Sequence, residues 1–184
     1  MDTIKHGEDV ERALGPALLG VIPFLKNTTA GGTGLAFELV EEPRSSFAEA
    51  FRSLRTSLQF STAAGVPKVL MVTSASMGEG KSTSALTLAA EKFDLVIIDG
   101  PPVLGLADAP LLGNLAEATV MVVEYGATRK GFATDAIKRL RVARTRLLGV
   151  VLTKAEANAS GYGYYQNYYY YEGAADQGRQ RLTA

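Results

Sequence analysis

The chain has no cysteine and one histidine, His6. The first absence excludes disulfides and thiolate chemistry, in catalysis or as metal ligands. The second makes a histidine-based catalytic centre or metal cluster unlikely, since His6 stands alone among polar residues near the N-terminus. Long apolar runs are missing too. The longest, Ala17 to Leu25, contains Gly20 and Pro23 and falls far short of the ~20 apolar residues a bilayer span needs. No N-terminal segment has the basic-then-apolar form of a signal peptide, and the chain as given is expected to be soluble. Nor is there an excess of charge. Nineteen Lys and Arg balance nineteen Asp and Glu, so no global field draws the protein to nucleic acid. There is no regular repeat.

What is present suits one globular domain with appendages. The 184 residues are 47% hydrophobic and 21% charged, an ordinary globular balance. Residues 1–44 read as an approach segment, with a short helix at Asp9–Leu14 ended by Gly15 and Pro16, a strand at Leu18–Pro23 and a flexible loop at Asn27–Gly34. Residues 45–157 read as the core. Ser46 and Glu49 have the spacing of a capping box opening a helix, in which Phe47, Phe51, Leu54 and Leu58 mark the apolar face. Glu49, Arg52 and Arg55 lie largely off that face, where a solvated charged surface is the default reading. Residues 158–184 form a tail. Its stretch Gly161–Gly173 holds seven of the eight tyrosines: Tyr162, Tyr164, Tyr165, Tyr168, Tyr169, Tyr170 and Tyr171. It has no helical or strand period and is expected to be mobile.

The most specific signal is Ala75-Ser76-Met77-Gly78-Glu79-Gly80-Lys81-Ser82. It fits the phosphate-binding loop pattern, with Ala in place of the first Gly. Small residues let the backbone curl until successive N–H groups point at one anion. Lys81 adds a charge for the β- and γ-phosphates, and Ser82 a hydroxyl for Mg²⁺. The context agrees: Lys68–Thr73 reads as a buried strand before the loop and Ser82–Ala90 as a helix after it, whose N-terminus would face the phosphates. Leu95-Val96-Ile97-Ile98 is a second apolar strand, and it ends in Asp99, where such a site needs a carboxylate for Mg²⁺. Asp108 reads either as the cap of the next helix, the favoured reading, or as a residue pointing at the site. Further strands at Thr119–Val123 and Leu148–Leu152, with helices at about 107–116 and 128–146 between, give an α/β layered, mostly parallel sheet flanked by helices. The second of these helices sits among Arg129, Lys130, Lys138, Arg139, Arg141, Arg144 and Arg146, with Asp135 as its one acid. That is a solvated basic face, or a contact for an acidic partner, anionic lipid or phosphotyrosine.

In combination these features resemble a known family. Glu49-x-x-Arg52-x-x-Arg55, the Gly78–Thr83 loop, Phe93–Pro102 with Asp99, and the terminal tyrosine cluster occur here in one order. Together they resemble the cytoplasmic domain of the bacterial tyrosine autokinases (BY-kinases) that accompany chain-length regulators of exopolysaccharide and capsule export. Asp2–Lys5 and Leu19–Pro23 resemble that family's segment just after its last membrane helix, so the likeness covers nearly the whole chain. It implies a P-loop NTPase-like fold and an ATP- and Mg²⁺-dependent kinase. Gly78, Glu79, Gly80, Lys81, Ser82 and Thr83 would bind nucleotide, Ser82 and Asp99 the metal, and Lys81 and Asp99 would carry catalysis. Glu49, Arg52 and Arg55 would join subunits into a ring, and the tail tyrosines would be phosphorylated by a neighbouring subunit. The implied partners are copies of itself, the membrane-embedded regulator portion and a phosphotyrosine phosphatase, with no nucleic acid. The implied place is the cytoplasm, at the inner face of the plasma membrane.

One family element is absent. The Asp-x-Asp-x-Arg motif (Walker A-prime) expected between the loop and Asp99 has no room here, because the loop helix runs through Ala89–Lys92 straight to the next strand. A helix of about twelve residues spans about 18 Å, enough to cross back over a sheet and give a direct βαβ unit with a shortened core. Two alternatives therefore stay open. One is a catalytically impaired nucleotide-binding scaffold of the same export system. The other is a partitioning- or targeting-type switch ATPase or GTPase, for which Thr153-Lys154-Ala155-Glu156 is a faint guanine-reading pattern.

Overall fold

A computed structural model describes residues 2–25, 42–63, 65–90 and 95–156. In chain order the elements are a helical turn α1 (Gly7–Asp9) running into a π-helical turn (Val10–Leu14), β1 (Leu18–Pro23), α2 (Ser46–Phe60), β2 (Val69–Ser74), α3 (Lys81–Ala90), β3 (Val96–Asp99), α4 (Asp108–Leu115), β4 (Ala118–Glu124), α5 (Lys130–Val142) and β5 (Leu147–Ala155). The five strands form one sheet in the order β1-β5-β4-β2-β3, and every pairing is parallel. The expected α/β class and parallel sheet are therefore found. The direct crossover is found as well: β3 lies beside β2, Met71 opposite Ile98 and Val72 opposite Asp99.

The strands are apolar on both faces because both faces are covered. Along β2 and β4, Leu70, Val72, Val120 and Val122 point to one side, where Phe47, Phe51, Leu54 and Leu58 of α2 and Ala85 and Leu88 of α3 meet them. Met71, Met121 and Val123 point to the other, toward Ala109 of α4 and Ala133, Ala136, Ile137 and Leu140 of α5. Successive side chains of a strand alternate between faces, so a run of unbroken hydrophobics feeds two cores at once.

β1 falls within the segment 1–44 that the sequence separates from the core, yet it pairs with β5 and completes the sheet. The opening residues are also built in. Ile4 is fully buried, and Thr3 bridges Arg129 in antiparallel fashion.

Local corrections follow from dihedral and hydrogen-bond detail. The cap of α2 is Ser45, not Ser46: Ser45 is extended and its hydroxyl accepts from Ala48 N at 3.1 Å, while Ser46 is already helical. Asp108 is the exposed first residue of α4 and not its cap, a position Ala107 fills without a side-chain hydrogen bond. Near the N-terminus of a helix its charge still opposes the end dipole favourably. The long basic helix stops at Val142, because Arg144 turns left-handed (φ 58°) and Thr145 N bonds back to Leu140 O. The flexible loop expected at Asn27–Gly34 lies outside the described residues, as does the tail.

Candidate functional site

β2 ends at Ser74 and α3 begins at Lys81, so the connecting loop crosses the carboxyl end of the sheet, where ligands of open α/β folds are held. Gly78 and Gly80 take φ of 80° and 85°, values that suit glycine and disfavour side chains. Gly80 is doubly constrained, because a Cβ there would stand 3.3 Å from Thr153 Oγ1. Beyond the loop, Ser84 N and Oγ both donate to Gly80 O, at 2.9 Å each, which starts the helix.

Three of the expected site residues converge. Lys81 Nζ forms an ion pair with Asp99 Oδ1 and donates to Ser82 Oγ at 3.1 Å. The Lys81 side chain is 15% exposed and that of Asp99 44%, so the acid opens to solvent while the ammonium nestles beside it. A hydroxyl, a carboxylate and an ammonium at the head of a helix are a donor set that fits a phosphate group and a hard divalent cation. Ser82 and Asp99 would hold that cation, and it would neutralise phosphate charge. Among the described residues no cluster of three or more His, Cys, Asp or Glu is present, so Asp99 is not joined by the further acids whose motif the sequence lacks.

Glu79 stands in the loop but turns its side chain away from solvent, leaving the residue 4% exposed. It accepts from Ser76 N at 3.0 Å and from the hydroxyl of Thr128. Burial pushes its carboxyl above the ordinary range. The hydrogen bonds from Thr128 and from the N–H groups of Ser76 and Ala75 oppose that shift, and the charge of Glu124 adds to it. Its backbone, rather than its carboxyl, is the part that can meet a nucleotide.

Residues from distant strands brace the loop, and the sequence pattern did not identify them in this role. Thr153 Oγ1 donates to Glu79 O at 2.6 Å. Lys154 Nζ donates to Gly78 O at 2.8 Å and pairs with Glu124 Oε2 at 2.9 Å. Thr153 and Lys154, part of the faint guanine-reading pattern, are thus engaged with the phosphate loop, and Glu156 is exposed. Thr128 also accepts from Glu124 N at 2.8 Å. A serine or threonine in an apolar strand end offers no sequence signal of the carbonyl it will find.

The remaining expected residues lie elsewhere. On α2, Arg52 pairs with Glu49 at 3.0 Å and donates to Pro43 O, and both side chains are about two-fifths exposed. Arg55, one turn further on, is exposed. The basic helix is partly spoken for: Lys130 reaches Asp2 at 3.0 Å and Asp9 at 3.1 Å, Lys138 reaches Asp135 at 3.4 Å, and Arg129 lies over the Phe132 ring. The acids answering Lys130 come from the N-terminal segment, not from the helix. Tyr162 to Tyr171 are outside the described residues.

Comparison with known proteins shows what this arrangement is similar to. The chain is 26% identical to tyrosine-protein kinase YwqD of Bacillus subtilis, over 67% of this chain and 88% of that protein. It is 34% identical to tyrosine-protein kinase wzc of Salmonella typhimurium over 46% of this chain. The kinase domain of the Escherichia coli tyrosine kinase ETK superposes with a TM-score of 0.71 at 19% identity, covering 85% of this chain and 97% of that one. The chain is similar in sequence to bacterial tyrosine-protein kinases and shares the fold of their kinase domains. The BceF tyrosine kinase domain shares the same fold, with a TM-score of 0.66 at 22% identity over 83% of this chain and 99% of that one. No family model matches the chain. The chain is also shorter than its Bacillus relative's matching stretch: that alignment extends over 209 residues, more than the 184 of the whole chain. Its share of other relatives is small, 11% of the Salmonella protein and 33% of CpsD from Streptococcus agalactiae. No helix among the described residues is long and apolar enough to cross a membrane.

Proposed function

We propose that the chain is an ATP- and Mg²⁺-dependent protein-tyrosine autokinase that phosphorylates its own tyrosine cluster, Tyr162 to Tyr171, between subunits. The observation that carries this reading is the meeting of Lys81, Ser82 and Asp99 at the carboxyl end of β2 and β3, in a chain whose relatives are named tyrosine-protein kinases. The transfer moves a phosphoryl group from ATP to a phenolic oxygen. A bond forms between that phosphorus and the phenolic oxygen, the bond to the bridging oxygen breaks and leaves it on ADP, and the phenol's proton passes to solvent water. Lys81 and the loop N–H groups would hold the phosphates, and Asp99 with Ser82 the cation. Positioning and charge stabilisation are most of what such a transfer asks of a protein.

Assembly belongs to the same proposal. Glu49, Arg52 and Arg55 stand on one stretch of α2 with their charged ends at the surface, where a second copy can meet them in a ring. Each phosphate added to a tail brings about −1.5 to −2 charges, so successive additions push neighbouring tails apart and favour the separated subunits. By likeness to the same kinases, the process served is exopolysaccharide or capsule polymerisation and export at the cytoplasmic face of the plasma membrane, beside a membrane-embedded regulator portion and opposed by a phosphotyrosine phosphatase.

A second reading has its own support. Among the described residues no group of three or more His, Cys, Asp or Glu gathers as a metal site, and that favours a scaffold that binds nucleotide and assembles but transfers phosphate poorly. Intact-mass and peptide mass spectrometry separates the two, starting from phosphatase-treated protein incubated with ATP and Mg²⁺. Added phosphate on Tyr162 to Tyr171 is the expected result. Bound ATP with no added phosphate would select the scaffold.

A further inference from the structure

Three carbonyls of the phosphate loop are held by side chains from two strands, β2 and β5. Ser74 Oγ at the end of β2 donates to Ser76 O at 2.8 Å. Lys154 Nζ, from the end of β5, donates to Gly78 O at 2.8 Å. Thr153 Oγ1 donates to Glu79 O at 2.6 Å and to Val123 O of β4 at 3.2 Å. In a trans peptide the C=O and the following N–H point in opposite directions. Fixing the carbonyls of Ser76, Gly78 and Glu79 toward the sheet therefore aims the N–H groups of Met77, Glu79 and Gly80 the other way, toward the side a phosphate would occupy.

This restraint has work to do because the loop is otherwise easy to turn. Glycines flank Glu79 on both sides, and their peptides rotate at little steric cost. If either peptide flipped, a carbonyl oxygen would face the anion and repel it. Lys154 meets the need at some cost of its own: its φ is 54°, a left-handed conformation that a side chain rarely adopts. That strained backbone lets Lys154 bridge Gly78 O and the Glu124 carboxylate at 2.9 Å. The ion pair with Glu124 fixes the ammonium in place and neutralises a carboxylate whose field would otherwise work against an incoming phosphate.

We propose that Lys154 and Thr153 are positioning residues of the nucleotide site, holding the phosphate loop with its N–H groups turned toward the anion. The proposal rests on the phosphate-loop reading above and assigns to both residues a part in setting phosphate affinity without contact with the nucleotide.

The test compares ADP, which carries phosphates, with adenosine, which carries none. Affinities for both are measured by calorimetry on the full chain, and thermal unfolding is followed without ligand. Lys154→Met keeps an unbranched chain of similar length and the same backbone demand but removes the ammonium. It should weaken ADP about ten- to a hundredfold, the usual weight of a hydrogen bond to a charged group. Adenosine affinity and the unliganded melting temperature should stay near those of the parent. Lys154→Arg should recover much of the loss. Thr153→Val should weaken ADP as well, and Thr153→Ser should restore it. ADP affinity within twofold of the parent in Lys154→Met would overturn the proposal, provided Lys81→Ala abolishes binding in the same assay. Equal losses for ADP and adenosine together with a lowered melting temperature would also overturn it, since they mark support of the fold. If Lys81→Ala leaves ADP binding intact, the phosphate-loop reading itself fails and the proposal falls with it.

Discussion

The two edges of the sheet are built to different ends. At one edge, β1 lies under α2, whose Leu54 and Leu58 are fully buried and whose Leu54 Cβ would come within 3.5 Å of a Cβ at Gly20. At the other edge, β3 is four residues long and, among the described residues, is bonded to β2 alone, and its Val96 is 60% exposed. The covered edge gathers apolar burial, the main source of folding free energy. The other edge carries Asp99, whose side chain is 44% exposed, as the proposed nucleotide site would need. Stability and chemistry are divided across the width of the sheet.

The largest effect should come from attacking the covered edge. Leu54→Ala removes a wholly buried side chain between α2 and β1 and should cost about 2–5 kcal/mol in urea unfolding, with nucleotide affinity of the folded fraction retained. At the other edge the order of effects reverses. Lys81→Ala should reduce nucleotide affinity about a hundredfold or more, the range expected when a charge-assisted phosphate contact is lost, while unfolding without ligand hardly moves. A change smaller than tenfold would remove the phosphates from this loop. Charge removal on the outer surface of α2 should be milder still for folding: Glu49, Arg52 and Arg55 changed together to Ala should lower the mass seen by light scattering, with about 1 kcal/mol or less lost from a half-exposed ion pair. An unaltered mass would leave those residues as a solvated surface.

Titration sharpens the contrast. Glu79, behind the loop, has its carboxyl pKa raised by burial, so the folded state holds its proton more tightly than the unfolded chain. Stability should therefore fall as pH rises from about the ordinary value of 4.5 through the raised one. Asp9 behaves oppositely. Its burial would raise the pKa, but hydrogen bonds from Lys5 N, the Lys130 ammonium and His6 N outweigh that and lower it. The stability it supplies is present above 3.8 and is lost as pH falls through the lowered value. Glu79→Gln should flatten the first slope and Asp9→Asn the second in denaturation measured across pH. The smallest change belongs to the β3 edge: Val96→Thr should alter stability by no more than about 0.5 kcal/mol, and it should reduce any self-association measured by sedimentation, because an exposed apolar edge strand is a template for pairing.

What could be read in the sequence was what is local. The loop from Ala75 to Ser82 announces itself because its chemistry needs glycines, a lysine and a hydroxyl at fixed spacing. The strands announce themselves as unbroken apolar runs, and Asp99 follows from one of them. Ser45 was missed by one residue, since Ser45 and Ser46 are equally good caps on paper and only the backbone angle separates them. The roles of Thr128, Thr153 and Lys154 were out of reach for a different reason. Each reaches the loop through a hydrogen bond across the fold, 49, 74 or 76 residues from its partner, and no periodicity encodes such a meeting. The acids that hold Lys130 escaped notice likewise, because Asp2 and Asp9 reach it only once the chain's opening residues lie along α5.

Those opening residues give the protein a mechanical property. Ile4 N bonds to Thr128 O at 3.0 Å, Gly126 N to Ile4 O at 2.8 Å and Lys130 N to Asp2 O at 3.0 Å, and the hydroxyl of that same Thr128 grips Glu79 in the phosphate loop. One residue, Thr128, thus links Ile4 to Glu79 of the loop between β2 and α3. A pull on residues 2–4 would act through Thr128 on Glu79 in the loop, and through Gly126 on the end of β4.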